Sequence, residues 1–216
     1  ETHAREQSRL LTRMQNDQAS MTGLFRRLPE VVRELNSSDL ETSRISALLF
    51  SMVQDIFQAE QVLLYLVPNP GAEDERGEEL NLFEHRGVNP PESVRKIRVG
   101  EGRIGFAAET RVEWIAEDWR NQSRTEGRAF AESHPALRPD LIGPLVHHTR
   151  TGSALLGVLC VGLPEKHAHP KDAKRLLQLI TGLGSIALMN ARRVNELSAK
   201  ANHDGLTGLL NKRHFM

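Results

Sequence analysis

Residues able to do chemistry are sparse in this chain. Glu117 and Asp118 are adjacent carboxylates, and on a strand neighbouring side chains point to opposite faces, so they do not form an acid–base pair. Cys160, the sole cysteine, lies in the apolar run Leu155–Val161; a thiol among such neighbours reads as buried and inert rather than nucleophilic. His147 and His148 are adjacent, and alternation sends at most one of them into any given site. His167 and His169 could share a face but have no third ligand near them in sequence. Solvated or structural histidines are therefore expected, and no metal site. No grouping of nucleophile, base and oxyanion donor emerges, so the chain reads as non-catalytic. Gly100, Gly102 and Gly105 reproduce the spacing of a dinucleotide-binding loop. The helix expected after them is only about two turns long, too short for a parallel crossover.

Composition narrows the class further. The 216 residues suit one medium domain with helical extensions. Lys plus Arg and Asp plus Glu both number 28, so no basic excess favours nucleic acid as a partner. One cysteine leaves no internal disulfide and fits a reducing, cytoplasmic setting. The longest apolar run, Ala154–Leu163, is too short to span a bilayer. The chain opens on Glu1 rather than methionine, so an upstream part, with room for a membrane anchor, is expected.

The elements follow from periodicity. Ser38 and Glu41 have the spacing of a capping box, which predicts a helix running to about Ala59 with Ile45, Leu48, Leu49, Met52, Val53, Ile56 and Phe57 on its core face. Val62–Val67 is apolar on both faces and predicts a central strand. A polar loop follows, then a less regular partner strand over Leu80–Arg86, and a short strand over Lys96–Val99. Asn121–Pro139, which carries Arg124, Arg128 and Arg138, reads as polar helix and loop.

Two stretches carry heptad spacing. Residues 1–37 place Leu11, Met14, Gln18, Met21, Phe25, Leu28, Val32 and Leu35 at steps of three and four, with a kink or break expected near Leu28 from Pro29. A long helix from Pro170 to about Asn202 places Leu176, Ile180, Leu183, Ala187, Asn190, Val194, Leu197 and Ala201 in the same way. Its front half, with Leu177, Leu179 and Ile186, is expected on its own domain. The thinner back half reads as a two-stranded seam, and Asn190 in that seam favours a dimer in one register. A parallel homodimer is expected through both helices, with Leu11, Met14, Met21, Phe25 and Leu28 at one end and Leu183, Ala187, Asn190, Val194, Leu197 and Ala201 at the other.

The order of several short stretches resembles the GAF domain. These are Val99–Gly105, Ala108–Thr110, Trp114–Asp118, the pair Leu141–Val146 and Leu155–Val161, and the closing helix through Leu176, Ile186 and Asn190. The resemblance spans about residues 40–195 and implies an α+β fold. Its features would be a central antiparallel sheet of about six strands, flanking helices, and a small-molecule pocket under a lid. Carried onto this sequence, the pocket positions are Phe106, Trp114, Arg128 and His147. GAF-like methionine sulfoxide reductases use several cysteines, which the single Cys160 does not supply.

The tail resembles a second family. Asp204-Gly205-Leu206-Thr207-Gly208-Leu209-Leu210-Asn211-Lys212-Arg213-His214-Phe215 is similar to the opening of a GGDEF domain, the catalytic domain of diguanylate cyclases, with Lys212 where that family commonly has arginine. The Gly-Gly-Asp/Glu-Glu-Phe active-site motif is absent, since no two glycines are adjacent in the chain. The organisation this implies is a signalling helix over 1–37, a GAF-like sensory domain over 38–190 whose last helix begins near 170, a coiled-coil linker over 191–203 and the start of a GGDEF domain over 204–216. GTP and magnesium would belong to the missing catalytic part, and an unidentified small molecule to the sensory one. The alternative is a ligand-free dimerisation scaffold moved by an upstream domain.

Overall fold

The computed structural model describes residues 29–35, 41–68, 70, 79–119, 137, 139–150, 152–164 and 172–202, with side chains as far as Leu197. The first helical seam, Leu11 to Leu28, lies outside them, as do Arg128, His167, His169, the side chain of Ala201 and the tail after Asn202.

Six strands form one sheet: β1 (Gln61–Leu66), β2 (Glu79–Arg86), β3 (Lys96–Arg98), β4 (Trp114–Ile115), β5 (Leu141–Thr149) and β6 (Gly152–Gly162). Their order is β3-β2-β1-β6-β5-β4, and every neighbouring pair is antiparallel. The most apolar runs, β1 and β6, lie side by side in the middle, as burial on both faces requires. The weaker alternation of β2 has a local cause. Leu64 pairs with Glu84 but Tyr65 with Leu82, so Phe83 is an extra residue at a bulge, and it is exposed.

Helices α1 (Thr42–Phe57), α2 (Gly102–Thr110) and α3 (Ala173–Asn202) cover the sheet. On one face Val62, Leu64, Leu141, Leu145, Leu156, Leu159 and Val161 meet Leu49, Val53 and Ile56 of α1 and Leu177, Ile180 and Ala187 of α3. Residues 29–35 are helical and bury Val31 and Leu35 in this same layer. Leu35 thus packs on its own domain rather than on a partner, and Val32 is half-buried. On the other face Leu63, Tyr65, Val158 and Cys160 meet Ile104, Ala107 and Ala108 of α2, with Trp119 and Leu137.

Two expectations are corrected. Ser38 lies outside the described residues, but the other half of the expected capping box is misplaced. Glu41 is extended (φ −75°, ψ 153°) and occupies the N-cap of α1 itself, whereas a capping box would place it inside the first turn. It accepts instead from Ser43 Oγ at 3.3 Å. Second, Ala187 is not at a seam: it is buried in the layer between α3 and the sheet. The helix carries two apolar stripes. One holds Leu177, Ile180, Gly184, Ala187 and Ala191 against the sheet and α1. The other leaves Leu179, Ile186, Val194 and Leu197 exposed. Leu179 and Ile186, expected to pack on their own domain, belong to the outer stripe.

Candidate ligand-binding site

The face beneath α2 has the features of a site. The turn Val99–Glu101 leads from β3 into α2, with Gly100 at φ +87° and Gly102 at φ +60°. A side chain at Gly105 would place its Cβ 2.2 Å from the Arg98 carbonyl oxygen. This glycine lets α2 sit tightly on the strand end. The glycine spacing therefore serves a turn and a close approach. The strand before it is a three-residue antiparallel edge strand, not the parallel strand a dinucleotide loop needs.

Beyond α2, β4 is followed by a helical turn over 116–119. Glu117 and Asp118 therefore sit on a helical turn, not on a strand. Asp118 accepts from the Ile115 N–H at 3.2 Å and from Lys174 Nζ at 3.1 Å, which ties this segment to the start of α3. Gln178 Nε2 donates to Glu113 Oε2 at 2.8 Å from the next turn of the helix.

The segment delivers two tryptophans to one place. Trp114 and Trp119 stack with centroids 4.5 Å apart, and Phe106 of α2 stands 5.4 Å from Trp114 and 6.0 Å from Trp119. Arg103 lies over the Trp119 ring at 5.8 Å, within cation–π range. Trp119 is buried, whereas Phe106 and Trp114 are half-buried at the edge of the cluster. Trp114 Nε1 donates to Thr110 Oγ1 at 3.2 Å. An aromatic wall with an adjacent guanidinium suits a flat or apolar molecule carrying an acceptor group.

No protein-family model matches the chain, and no curated protein does. Solved structures do. The GAF domain of a phosphoenolpyruvate-protein phosphotransferase from Acinetobacter is 22% identical with a TM-score of 0.54, over 79% of this chain and 95% of that one. The corresponding domain from Coxiella burnetii is 18% identical with a TM-score of 0.56, over 80% and 96%. The fold is that of a GAF domain. The free methionine-R-sulfoxide reductase of Neisseria meningitidis, solved with its substrate, shares it at 17% identity and a TM-score of 0.52, over 77% of this chain and 88% of that one.

Within this GAF fold, Phe106 and Trp114 stand side by side. His147 does not join them. Strand alternation in β5 puts Ile142 and Val146 on the α2 face, and Leu141, Leu145 and with them His147 on the face of α1 and α3. His148 follows Val146 but is exposed near the hairpin end. Trp119 and Arg103 were not singled out by sequence reasoning. The signal that could have found Trp119 is that it is one of only two tryptophans, five residues after the other. Among the described residues no group of three His, Cys, Asp or Glu could hold a metal. No described helix is long and apolar enough to cross a membrane.

Two titratable groups lie under the cluster. Tyr65 is buried, and its hydroxyl donates to the Val94 carbonyl at 2.9 Å. Burial pushes its pKa well up, with the neighbouring Cys160 adding to the effect. Burial alone pushes the Cys160 thiol up. Both groups are neutral in the folded protein and ionise more readily when unfolded. The unfolded chain therefore loses these protons first as pH rises. Stability is fully present below the unfolded values, about 8.5 for the thiol and about 10 for the phenol, and is lost above them. We expect urea midpoints to be level from neutral pH to about 8 and to fall steeply above about 10. Native protein should leave Cys160 unlabelled by a thiol reagent at pH 8, with reaction only after unfolding. Rapid native labelling would contradict the burial of this thiol.

Proposed function

We propose that this chain is the sensory part of a diguanylate cyclase, controlling the synthesis of cyclic di-GMP from GTP through a parallel homodimer. The observation that carries this reading is the stretch Asp204–Phe215, similar to the opening of a GGDEF domain, placed in sequence directly after α3. The GAF fold and a single 30-residue helix leaving it are in keeping with a sensor joined to an output domain. A cyclase must bring two GTP-loaded halves face to face, and a paired helix can set their separation or rotation. GTP and magnesium belong to the catalytic part, which works where GTP is found, on the cytoplasmic side.

The dimer face of α3 is the exposed stripe of Leu179, Ile186, Asn190, Val194 and Leu197. The effector is a small molecule taken up between the sheet and α2, against Phe106 and Trp114, with Arg128 from the segment that follows. By linkage it acts only to the extent that it binds two helix packings with different affinity. The stacking of Trp114 on Trp119 favours a second reading, a ligand-free scaffold in which the aromatic cluster is filled by its own side chains. A thermal-shift screen of nucleotides and metabolites separates the two: a rise in Tm abolished by Phe106→Ala supports a ligand. For the main reading, the full-length protein incubated with GTP and magnesium is expected to yield cyclic di-GMP. Absence of product, or a sequence after Met216 without a GGDEF motif, would end it.

A further inference from the structure

Residues 111–119 form a strap from the end of α2 to the second tryptophan. Among the described residues this strap pairs with the sheet only at Trp114 with Ile142 and Ile115 with Leu141. Side chains supply its other ties. Arg111 Nη1 donates to the Ser153 carbonyl at 2.7 Å, which holds the near end to the β5–β6 hairpin. Glu113 Oε2 accepts from Gln178 Nε2 at 2.8 Å, and Asp118 Oδ2 accepts from Lys174 Nζ at 3.1 Å. Lys174 and Gln178 stand four residues apart, so both reach out from one side of the first two turns of α3.

Asp118 has a second task. The oxygen that meets Lys174 also accepts from the Ile115 N–H at 3.2 Å. Ile115 stands just before the helical turn 116–119, and Asp118 is the third residue of that turn. This is the acidic half of a capping box, and it fixes where the turn begins. The turn carries Trp119, whose ring stacks on Trp114 with centroids 4.5 Å apart. Glu113 is the chain neighbour of Trp114, and Asp118 is that of Trp119. Each tryptophan thus lies one residue from a carboxylate that α3 holds.

We propose that Lys174 and Gln178 are positioning residues, which register the Trp114–Trp119 stack to the first two turns of α3, so that a rearrangement of the aromatic cluster is felt where the outgoing helix begins. Leu179, the first residue of the exposed stripe, directly follows Gln178. The Lys174 and Asp118 side chains are 41% and 29% exposed, and an ion pair so open to water adds little stability. Its loss therefore leaves the fold standing, and its role is geometric. Coupling of this kind is reciprocal: if the helix biases the stack, the stack biases the helix by the same amount. The use of this coupling in cyclase control rests on the function proposed above, but the coupling itself is a property of this chain.

Both tryptophans of the chain belong to the cluster, so tryptophan emission reports on it alone. In the 216-residue chain, Lys174→Met combined with Gln178→Leu removes both donors and keeps apolar stems in their place. The emission of this variant is expected to shift to the red, with stronger quenching by acrylamide, while far-UV circular dichroism stays that of the parent chain. Unchanged emission overturns the proposal. In the other direction, Phe106→Leu is expected to speed amide hydrogen exchange at residues 176–181 by up to about fivefold, the size of an exposed ion pair, and to leave residues 187–194 as they were. In the Lys174→Met, Gln178→Leu background the same change at Phe106 should leave 176–181 unaltered. An equal response in both backgrounds overturns the proposal, as does no response in the parent chain. If the double variant does not fold, Gln178→Leu alone takes its place under the same criteria. These readouts involve no GTP chemistry, so their failure is distinct from failure to detect cyclic di-GMP in the full-length protein.

Discussion

Gly157→Ala is expected to cost about 3 kcal/mol or more, a large share of the stability of an ordinary domain. Gly157 lies in β6 at the centre of the sheet, between Leu66 of β1 and Leu145 of β5. A Cβ there would stand 2.2 Å from the Tyr65 carbonyl oxygen, 2.9 Å from Leu66 Cδ2 and 3.2 Å from Leu66 Cα. The first and last of these are backbone atoms, so relief requires β1 to move away from β6 and ladder hydrogen bonds to weaken. Two glycines provide the contrast. Gly152 in the same strand and Gly182 on the outer side of α3 have nothing within 4 Å of a built Cβ. Gly152→Ala should be near neutral, and Gly182→Ala should stabilise by about 0.5–1 kcal/mol because alanine is the better helix former. Urea unfolding with unchanged slope reads all three. A Gly157→Ala midpoint close to that of the parent chain would show that the sheet centre yields more easily than its geometry indicates.

On the parallel dimer proposed above, Leu197→Glu is expected to break the pairing without harming the fold. Leu197 is 67% exposed in the single chain, so a carboxylate there costs the monomer little. In a parallel pair it would face its own copy and place two like charges at the seam, where two leucines would otherwise be buried. The loss is about 3 kcal/mol per dimer, or about a hundredfold in Kd. Sedimentation equilibrium across micromolar concentrations reads the change, with melting at low concentration as the check on folding. On the cyclase function proposed above, the same substitution in the full-length protein should reduce cyclic di-GMP output by about the fraction of dimer lost. Phe83→Glu is the control, because Phe83 is also exposed, at 44%, but lies on β2. Equal masses for Leu197→Glu and the parent chain, or equal loss with Phe83→Glu, would remove α3 as the dimer face.

Much of this molecule was legible in the sequence, and the reason is local. The continuous apolar run Val62–Val67 read as a central strand because both of its faces need cover, and Gln61–Leu66 is such a strand beside β6. The 3.6-residue pattern of Thr42–Phe57 likewise demanded one buried side, and Ile45, Leu49, Met52, Val53, Ile56 and Phe57 are buried there. The burial of Cys160 followed from its neighbours alone. What the sequence could not decide was which face, and which partner, each apolar side chain would meet. His147 falls on the face away from Phe106 because of the register of β5, set by pairing with β6. Glu117 and Asp118 lie on a helical turn that brings Trp119 under Trp114, a placement that depends on α3 holding Asp118 from 56 residues away. The apolar residues of α3 divide into an inner and an outer stripe only once the sheet has claimed one of them, which is why Ala187 lies inward and Ile186 outward. Periodicity reports that a side chain will be buried, whereas only the packing of distant strands and helices selects what buries it.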